Sequence, residues 1–230
     1  GSLANITYNV TFNDSANNPV TTPDTIITVT DDDAPTYVWV SQPVAGTTGE
    51  SVLVSVNATD NIGVTYYVIN VDGVPYVMTK DGDYYNYTIV VPAGSLANIT
   101  YNVTFNDSAN NPVTTPDTTI TVTDNDAPTY AWVSQPNAGT TGETVLVSVN
   151  ATDNIGITAY VINVDGVIYA MTKDGDYYNY TIAVPSGSTA GITYNVTFGD
   201  AEGNTVTTPD TTITVTDNDA PGYIWISQPA

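Results

Sequence analysis

Val64-Thr65-Tyr66-Tyr67-Val68-Ile69-Asn70-Val71, then Asp72-Gly73, then Val74-Pro75-Tyr76-Val77-Met78-Thr79, is the stretch on which the fold turns. β-Branched and aromatic side chains fill both arms, and such residues suit a pleated, half-buried surface. Asp-Gly between them is a strong two-residue hairpin signal, because a type I′ turn needs two residues that tolerate positive φ. Working outward in both directions, further short runs rich in Thr, Val, Ile and Tyr are broken by Gly, Pro, Asn and Asp. The pattern predicts seven strands: A over 36–42, B over 51–58, C over 64–71, C′ over 74–79, E over 84–90, F over 99–106 and G over 115–123. No segment reads as a helix. This count and spacing indicate an all-β sandwich.

The whole pattern recurs after 93 residues. Asp31-Asp32-Asp33-Ala34-Pro35-Thr36-Tyr37 returns as Asp124-Asn125-Asp126-Ala127-Pro128-Thr129-Tyr130 and again from Asp217, and 31–123 agrees with 124–216 at 76 of 93 positions. A near-identical tandem array extends in one dimension, unit upon unit. The expected organisation is 1–30 as the last part of a repeat (strands F and G), 31–123 and 124–216 as complete repeats, and 217–230 as the first strand of another. The two part-units are expected to be completed by continuing repeats or by neighbouring chains.

The copies also report which face is buried. Val38 becomes Ala131, Tyr66 becomes Ala159, Val77 becomes Ala170 and Val90 becomes Ala183. Such losses inside a core would cost about 2–5 kcal/mol each, so these positions are expected to face outward. Alternation then turns Tyr37, Trp39, Tyr67, Ile69, Val71, Tyr76, Met78, Tyr87 and Ile89 inward.

Composition excludes several partners. The only cations are Lys80 and Lys173, against 24 acids, for a net charge of −22. That balance argues against nucleic acid or an anionic membrane and for bound cations. No stretch reaches the roughly 20 apolar residues that span a bilayer. With no Cys and no His, a Ser-His-Asp or Cys-His site is impossible, and an enzyme is not expected. The sequon Asn-x-Ser/Thr occurs at Asn5, Asn9, Asn13, Asn57, Asn86, Asn98, Asn102, Asn106, Asn150, Asn179 and Asn195. A chain rich in Asn and Thr makes sequons by chance; the functional reading is a surface glycoprotein carrying N-glycans.

Asp-Asn-Asp-Ala-Pro at the start of a unit, Ala58-Thr59-Asp60-Asn61-Ile62-Gly63-Val64, Val71-Asp72-Gly73 and Asp107-Ser108-Ala109-Asn110-Asn111 together resemble the bacterial and archaeal Ig-like domains of surface proteins. The second copy keeps the last motif more closely, as Asp200-Ala201-Glu202-Gly203-Asn204, where the first has Asn110 in the Gly position. The resemblance implies a tandem Ig-like fold and an extracellular, cell-surface location. It says little of function, since such domains serve as stalks, adhesins and spacers alike.

An Ig-like sandwich gathers the acids at its poles. Asp124 and Asp126 of the linker, Asp153 of the B–C loop, Asp174 and Asp176 of the C′–E turn, and Asp200 of the F–G loop are expected at one pole. Asp31, Asp33, Asp60, Asp81, Asp83 and Asp107 form the same set in the first copy. Glu50 and Asp72 are expected at the opposite pole, turned toward the next joint. Clustered carboxylates repel, and Ca²⁺ takes six to eight oxygen ligands; zinc finds no His or Cys here. Cadherins resemble this scheme, with calcium stiffening acidic linkers, although this chain lacks their other motifs. The alternative is that Asp simply forms turns, which best explains Asp72 and Asp165. Two functions remain open: a structural filament or stalk of calcium-stiffened repeats, its partners being neighbouring repeats or copies of itself, and an adhesin binding glycans or cells.

Overall fold

The computed structural model describes residues 3–224 and 226. All regular structure among them is β. The first strands are β1 (Ile6–Tyr8), β2 (Thr11–Asn13), β3 (Pro19–Thr21) and β4 (Thr25–Ile27). They form two small antiparallel pairs, β1 with β4 and β2 with β3.

The first complete repeat runs through β5 (Thr36–Ser41), β6 (Ala45–Thr47), β7 (Ser51–Thr59), β8 (Val64–Val71) and β9 (Val74–Val77). It continues with β10 (Thr79–Asp81), β11 (Tyr84–Val90), β12 (Ile99–Asp107), β13 (Pro112–Thr114) and β14 (Thr118–Thr123). The second repeat reproduces them as β15 (Thr129–Ser134), β16 (Ala138–Thr140), β17 (Thr144–Thr152), β18 (Ile157–Val164) and β19 (Val167–Ala170). It ends with β20 (Thr172–Asp174), β21 (Tyr177–Ala183), β22 (Ile192–Asp200), β23 (Thr205–Thr207) and β24 (Thr211–Thr216). By packing the chain forms two compact units, one ending at Thr123 and the other beginning at Asp124, with Ala93–Leu96 counted in the second.

In each complete repeat a four-stranded sheet faces a larger one. The first repeat orders them β10-β11-β7-β5 and β6-β14-β12-β8-β9, with β13 also on β12. In immunoglobulin lettering these are D-E-B-A and A′-G-F-C-C′, so the fold is a tandem Ig-like sandwich. The expected hairpin is present: β8 pairs β9 from Val68↔Val77 to Val71↔Val74. Asp72 and Gly73 have φ of 50° and 82°, the two positive values of a type I′ turn.

Two strands change sheets, and the sequence reading missed both crossings. Strand A pairs β7 as far as Ser41; then Pro43, with no N–H to offer a ladder, lets the chain cross, and β6 runs parallel to β14. Gly46 sits so close to the other layer that an added Cβ would lie 3.1 Å from Val91 Cγ2. Tyr101 Oη donates to the Pro43 carbonyl at 3.0 Å, and Gln42 Nε2 to Thr118 Oγ1 at 2.9 Å. The second crossing lies at Met78. The expected strand over 74–79 ends at Val77, and β10 beyond it joins β11 in the opposite sheet. Strand G is likewise interrupted, as β13 and β14.

The burial pattern follows the faces expected from the paired copies. Val38 is 69% exposed and Val77 74%, and Tyr66 and Val90 also lie open. Ile69, Met78 and Ile89 are buried, with Tyr37, Trp39, Tyr67, Val71 and Tyr87 partly buried against them. Tyr76 is the exception. It is 40% exposed, because β9 is the rim strand of its sheet and its ring leans on Tyr87 at 5.3 Å rather than entering the core. Trp39 meets Tyr101 edge-on at 6.1 Å and 86°, and Trp132 meets Tyr194 in the same way.

Candidate metal centre

The first carboxylate of the site comes from the segment that follows strand G, the second from the B–C turn and the third from the end of strand F. Asp31, Asp60 and Asp107 bring one oxygen each within 4.8 Å of one another, and Asp124, Asp153 and Asp200 do the same in the second unit. Asp107, Asp124 and Asp200 are buried.

Local chemistry fixes each acid. Asp60 Oδ1 accepts from Ile62 N at 2.8 Å and Gly63 N at 3.1 Å, closing an Asx turn; Asp153 repeats this with Ile155 and Gly156. Asp107 sits beside a bulge, where the pairing of β12 with β8 passes from Tyr66 to Val64. The skipped Thr65 donates its hydroxyl to the Asp107 carbonyl at 2.7 Å, as Thr158 does to Asp200. A bulge beside a site re-aims the side chain it carries.

Two asparagines tie the acids together. Asn61 Nδ2 donates to Asp31 Oδ1 at 2.8 Å and to Asp33 Oδ2 at 3.3 Å. Asn111 Nδ2 reaches Asp107 Oδ2 at 2.8 Å and Asp31 Oδ2 at 3.3 Å, while Asn111 N donates to Asp107 Oδ1 at 2.8 Å. Asn154 and Asn204 stand in the same places in the second unit. These asparagines were not singled out as site residues from sequence. The signal for them was their fixed place after Asp60 and four residues after Asp107, which had been read only as family pattern.

Like charges held this close repel, and the first unit shows it in the direction of its shifts. The Asn61 amide pulls the Asp31 carboxyl down, but burial and the facing carboxylates of Asp107 and Asp60 prevail and leave it above its ordinary value. Burial pushes Asp107 up, yet the backbone N–H and amide of Asn111, with a hydrogen bond from Asp31, hold it below. Of the two facing carboxyls, Asp31 is the one pushed toward its neutral form and Asp107 the one held charged.

The donor set fits a hard cation: every candidate ligand atom is oxygen. In the second unit Asp153 Oδ2 is buried and accepts no hydrogen bond, so one carboxylate oxygen is left for a ligand. Beside each cluster lies an open groove, lined by Asp33, Ala34, Thr36, Thr59, Asp60 and Asn61 in the first unit and by the matching residues in the second.

The remaining candidates stand outside the triads. The carboxylates of Asp33 and Asp126 accept from Asn61 and Asn154, and Asp126 N also donates to Asp124 Oδ1 at 3.5 Å. Asp81, Asp83 and Asp174 are exposed and belong to neither triad; Asp176 lines a pocket together with Asp153 and Lys173. Glu50 Oε2 accepts from Thr47 N at 2.8 Å and closes a turn, and Asp72 Oδ1 accepts from Thr100 N at 2.8 Å, tying the β8–β9 turn to β12, so each is engaged within its own unit. Lys80 and Lys173 lie over the rings of Tyr85 and Tyr178.

Among the sequon asparagines, Asn5, Asn9, Asn13 and Asn98 are exposed, and Asn57, Asn86, Asn150 and Asn179 are half-buried at outward strand positions. The amide nitrogens of Asn102 and Asn195 donate to Asp117 and Asp210 at 2.6 Å, and that of Asn106 donates to Asn110.

No protein-family model and no curated protein matches the chain. Solved structures similar to it include the titin domains Z1Z2 in complex with telethonin, at 16% identity and a TM-score of 0.46, covering 83% of this chain and 100% of that one. Another is Drosophila OTK extracellular domains 3–5, at 14% identity and a TM-score of 0.42, covering 91% and 70%. A third is the fibronectin(III)-like modules of Clostridium thermocellum CbhA, at 15% and 0.37, covering 83% and 100%. Among the described residues no helix is long and apolar enough to cross a membrane.

Proposed function

We propose that this chain is a non-catalytic structural part of an extracellular, cell-surface stalk or filament, built of Ig-like repeats and stiffened by Ca²⁺ where one repeat follows another. The observation that carries this reading is the duplicated triad. Asp124 directly follows β14, which ends at Thr123, and joins Asp153 and Asp200. An ion held by these three acids would fix the connecting segment to the B–C and F–G loops, removing the bending freedom of a short linker. Asp31, Asp60 and Asp107 would act alike in the first repeat. The bacterial and archaeal resemblance and the cluster of sequons accord with a surface location, and Asn98 is an exposed sequon that could carry an N-glycan. The adhesin reading draws on the exposed rings of Tyr66, Tyr76 and Tyr84, and a glycan array separates it from the stalk.

Calorimetry with Ca²⁺, paired with melting in the presence and absence of chelator, tests the proposal. A ligand that binds only the folded state stabilises it by about 2.7 kcal/mol at one hundred times its Kd, so saturating calcium should raise Tm by several degrees. Asp153→Asn keeps the Oδ1 acceptor for Ile155 and Gly156 and removes one charge. It should weaken binding at least tenfold at the second triad without unfolding the protein. Absence of heat at millimolar calcium, with Tm unmoved by chelator, refutes the metal centre.

A further inference from the structure

Away from the triads, the outer face of the larger sheet carries a polar groove in each repeat. Asn70 of β8 stands directly across from Asn102 of β12, and strand alternation turns both away from the core that takes in Ile69, Tyr101 and Val103. Asp72 is clamped beside them: its N–H donates to the Thr100 carbonyl and its Oδ1 accepts from Thr100 N, each at 2.8 Å. Asp117, just before β14, accepts from Asn102 Nδ2 at 2.6 Å through its Oδ1. These residues line a groove of about 310 Å³. In the second repeat Asn163, Asp165, Thr193, Asn195 and Asp210 line its twin, of about 270 Å³, with the same bonds at Asp165 and Asp210. Both volumes lie near the lower end of the range of about 300–1,000 Å³ for small-ligand sites, which suits one ring rather than a chain of them. On the same face the copies differ at Tyr66 and Ala159, Pro75 and Ile168, and Asn106 and Gly199, yet the groove residues are identical.

We propose that each groove is a binding site for one saccharide ring. The internal bonds engage one oxygen of each carboxylate and leave the other to a ligand. In the second repeat Asn163 Oδ1 is buried and accepts no hydrogen bond; such an atom bears its full desolvation cost until a donor reaches it. Against these acceptors stand amide N–H donors of the two facing asparagines. A mixed set of donors and acceptors matches hydroxyl groups, which do both. A metal ion would use the acceptors alone, and among the described residues no third carboxylate joins Asp72 and Asp117, as the triads require. The ring has two chemical sources. Asn102-Val103-Thr104 and Asn195-Val196-Thr197 are sequons, so a glycan attached at the groove wall could lay its first ring there; a glycan of another molecule offers the same hydroxyls. The site goes beyond the stalk reading and does not depend on calcium, so failure of the metal centre leaves it standing.

The test uses the full chain, isotope-labelled and made in a host that adds no N-glycans, titrated in the NMR spectrometer with a panel of neutral hexoses and N-acetylhexosamines at millimolar concentration. At least one sugar should shift the amides of Gly73, Thr100 and Asn102, and those of Gly166, Thr193 and Asn195, to saturation, while the buried Phe105 and Phe198 stay unmoved. Asp210→Ala should weaken binding at the second groove by about tenfold or more, as loss of a hydrogen bond to a charged group does. The first groove is then the control, and an unmoved Phe198 amide shows that the sandwich is intact. The same chain from a glycosylating host separates the two sources. A glycan on Asn102 or Asn195 whose first ring lies within proton contact of Thr100 or Thr193 and blocks added sugar makes the groove its own seat; bare asparagines leave it to the sugar of another molecule. Two results overturn the proposal. One is the absence of saturable shifts with every sugar of the panel and of contacts from any attached ring. The other is movement of these amides with Ca²⁺ alone, which would make the grooves cation sites.

Discussion

At the scale of single residues, Tyr101 and its twin Tyr194 decide more than their number suggests. Each ring is 1% exposed, and each hydroxyl donates to a proline carbonyl where strand A leaves its sheet. Burial, against a weaker pull from Thr118 or Thr211, pushes both phenols up to about 12. The unfolded chain titrates near 10. A folded pKa above the unfolded one means that the native state holds the proton more tightly. This contribution is intact below pH 10 and is lost as pH rises from about 10 through about 12. Urea melts across that range should show stability falling by on the order of 2 kcal/mol per tyrosine. Tyr101→Phe should cost about 1 kcal/mol at pH 7 through the lost hydrogen bond and flatten the alkaline fall of the first unit. An unchanged slope would place the ionisation elsewhere. Asn110 and Gly203 make a related point: both hold positive φ, at 70° and 93°, so the departure of the first copy from the family pattern keeps the backbone the loop needs. Asn enters this region more readily than most side chains.

At the scale of elements, the paired copies act as a mutational experiment. Trp132→Ala should destabilise the second unit by about 3 kcal/mol, because the ring packs on Tyr194 and the core. Tyr66→Ala should cost less than about 1 kcal/mol, since the position is open and the second copy already carries Ala159. Chemical denaturation of both variants checks the pair, and equal losses would invert the faces. Periodicity made strands B, C, E and F legible almost to the residue, because alternation and turn chemistry are local. The crossings at Pro43 and Met78 were not legible. Whether a strand continues in its own sheet or passes to the facing one depends on partners distant in sequence, such as β14 for β6 and β11 for β10. Tyr76 was misplaced for the same reason, as nothing in its own run shows that its strand is a rim. At the site, the grouping of Asp31, Asp60 and Asp107 followed from assigning loops to poles. The joining role of Asn61 and Asn111 needed side-chain directions that spacing does not supply.

At the scale of the whole molecule, a net charge of −22 with two cations makes general repulsion a rival explanation for any effect of calcium. Screening and binding separate by concentration. Exposed charges are largely screened beyond about 8 Å at 0.15 M salt, so sodium chloride at that level should raise the Tm of the chelated protein modestly. Calcium at about 1 mM adds little ionic strength; a further rise on its addition marks site binding, and magnesium at equal strength should do less because it demands a tighter octahedral shell. Equal effects of the three salts at equal ionic strength would reduce the triads to turn chemistry. One feature of each sandwich bears on what such a chain does under load. Near its start β6 runs parallel to β14 at its end, from Thr121↔Ala45 to Thr123↔Thr47, and Thr48 N reaches the Thr123 carbonyl at 2.9 Å. Tension on the two ends of the repeat pulls these neighbouring strands in opposite directions along their length. The hydrogen bonds between them are then strained together in shear rather than opened singly like a zipper, so the repeat resists stretching with the strength of the whole row.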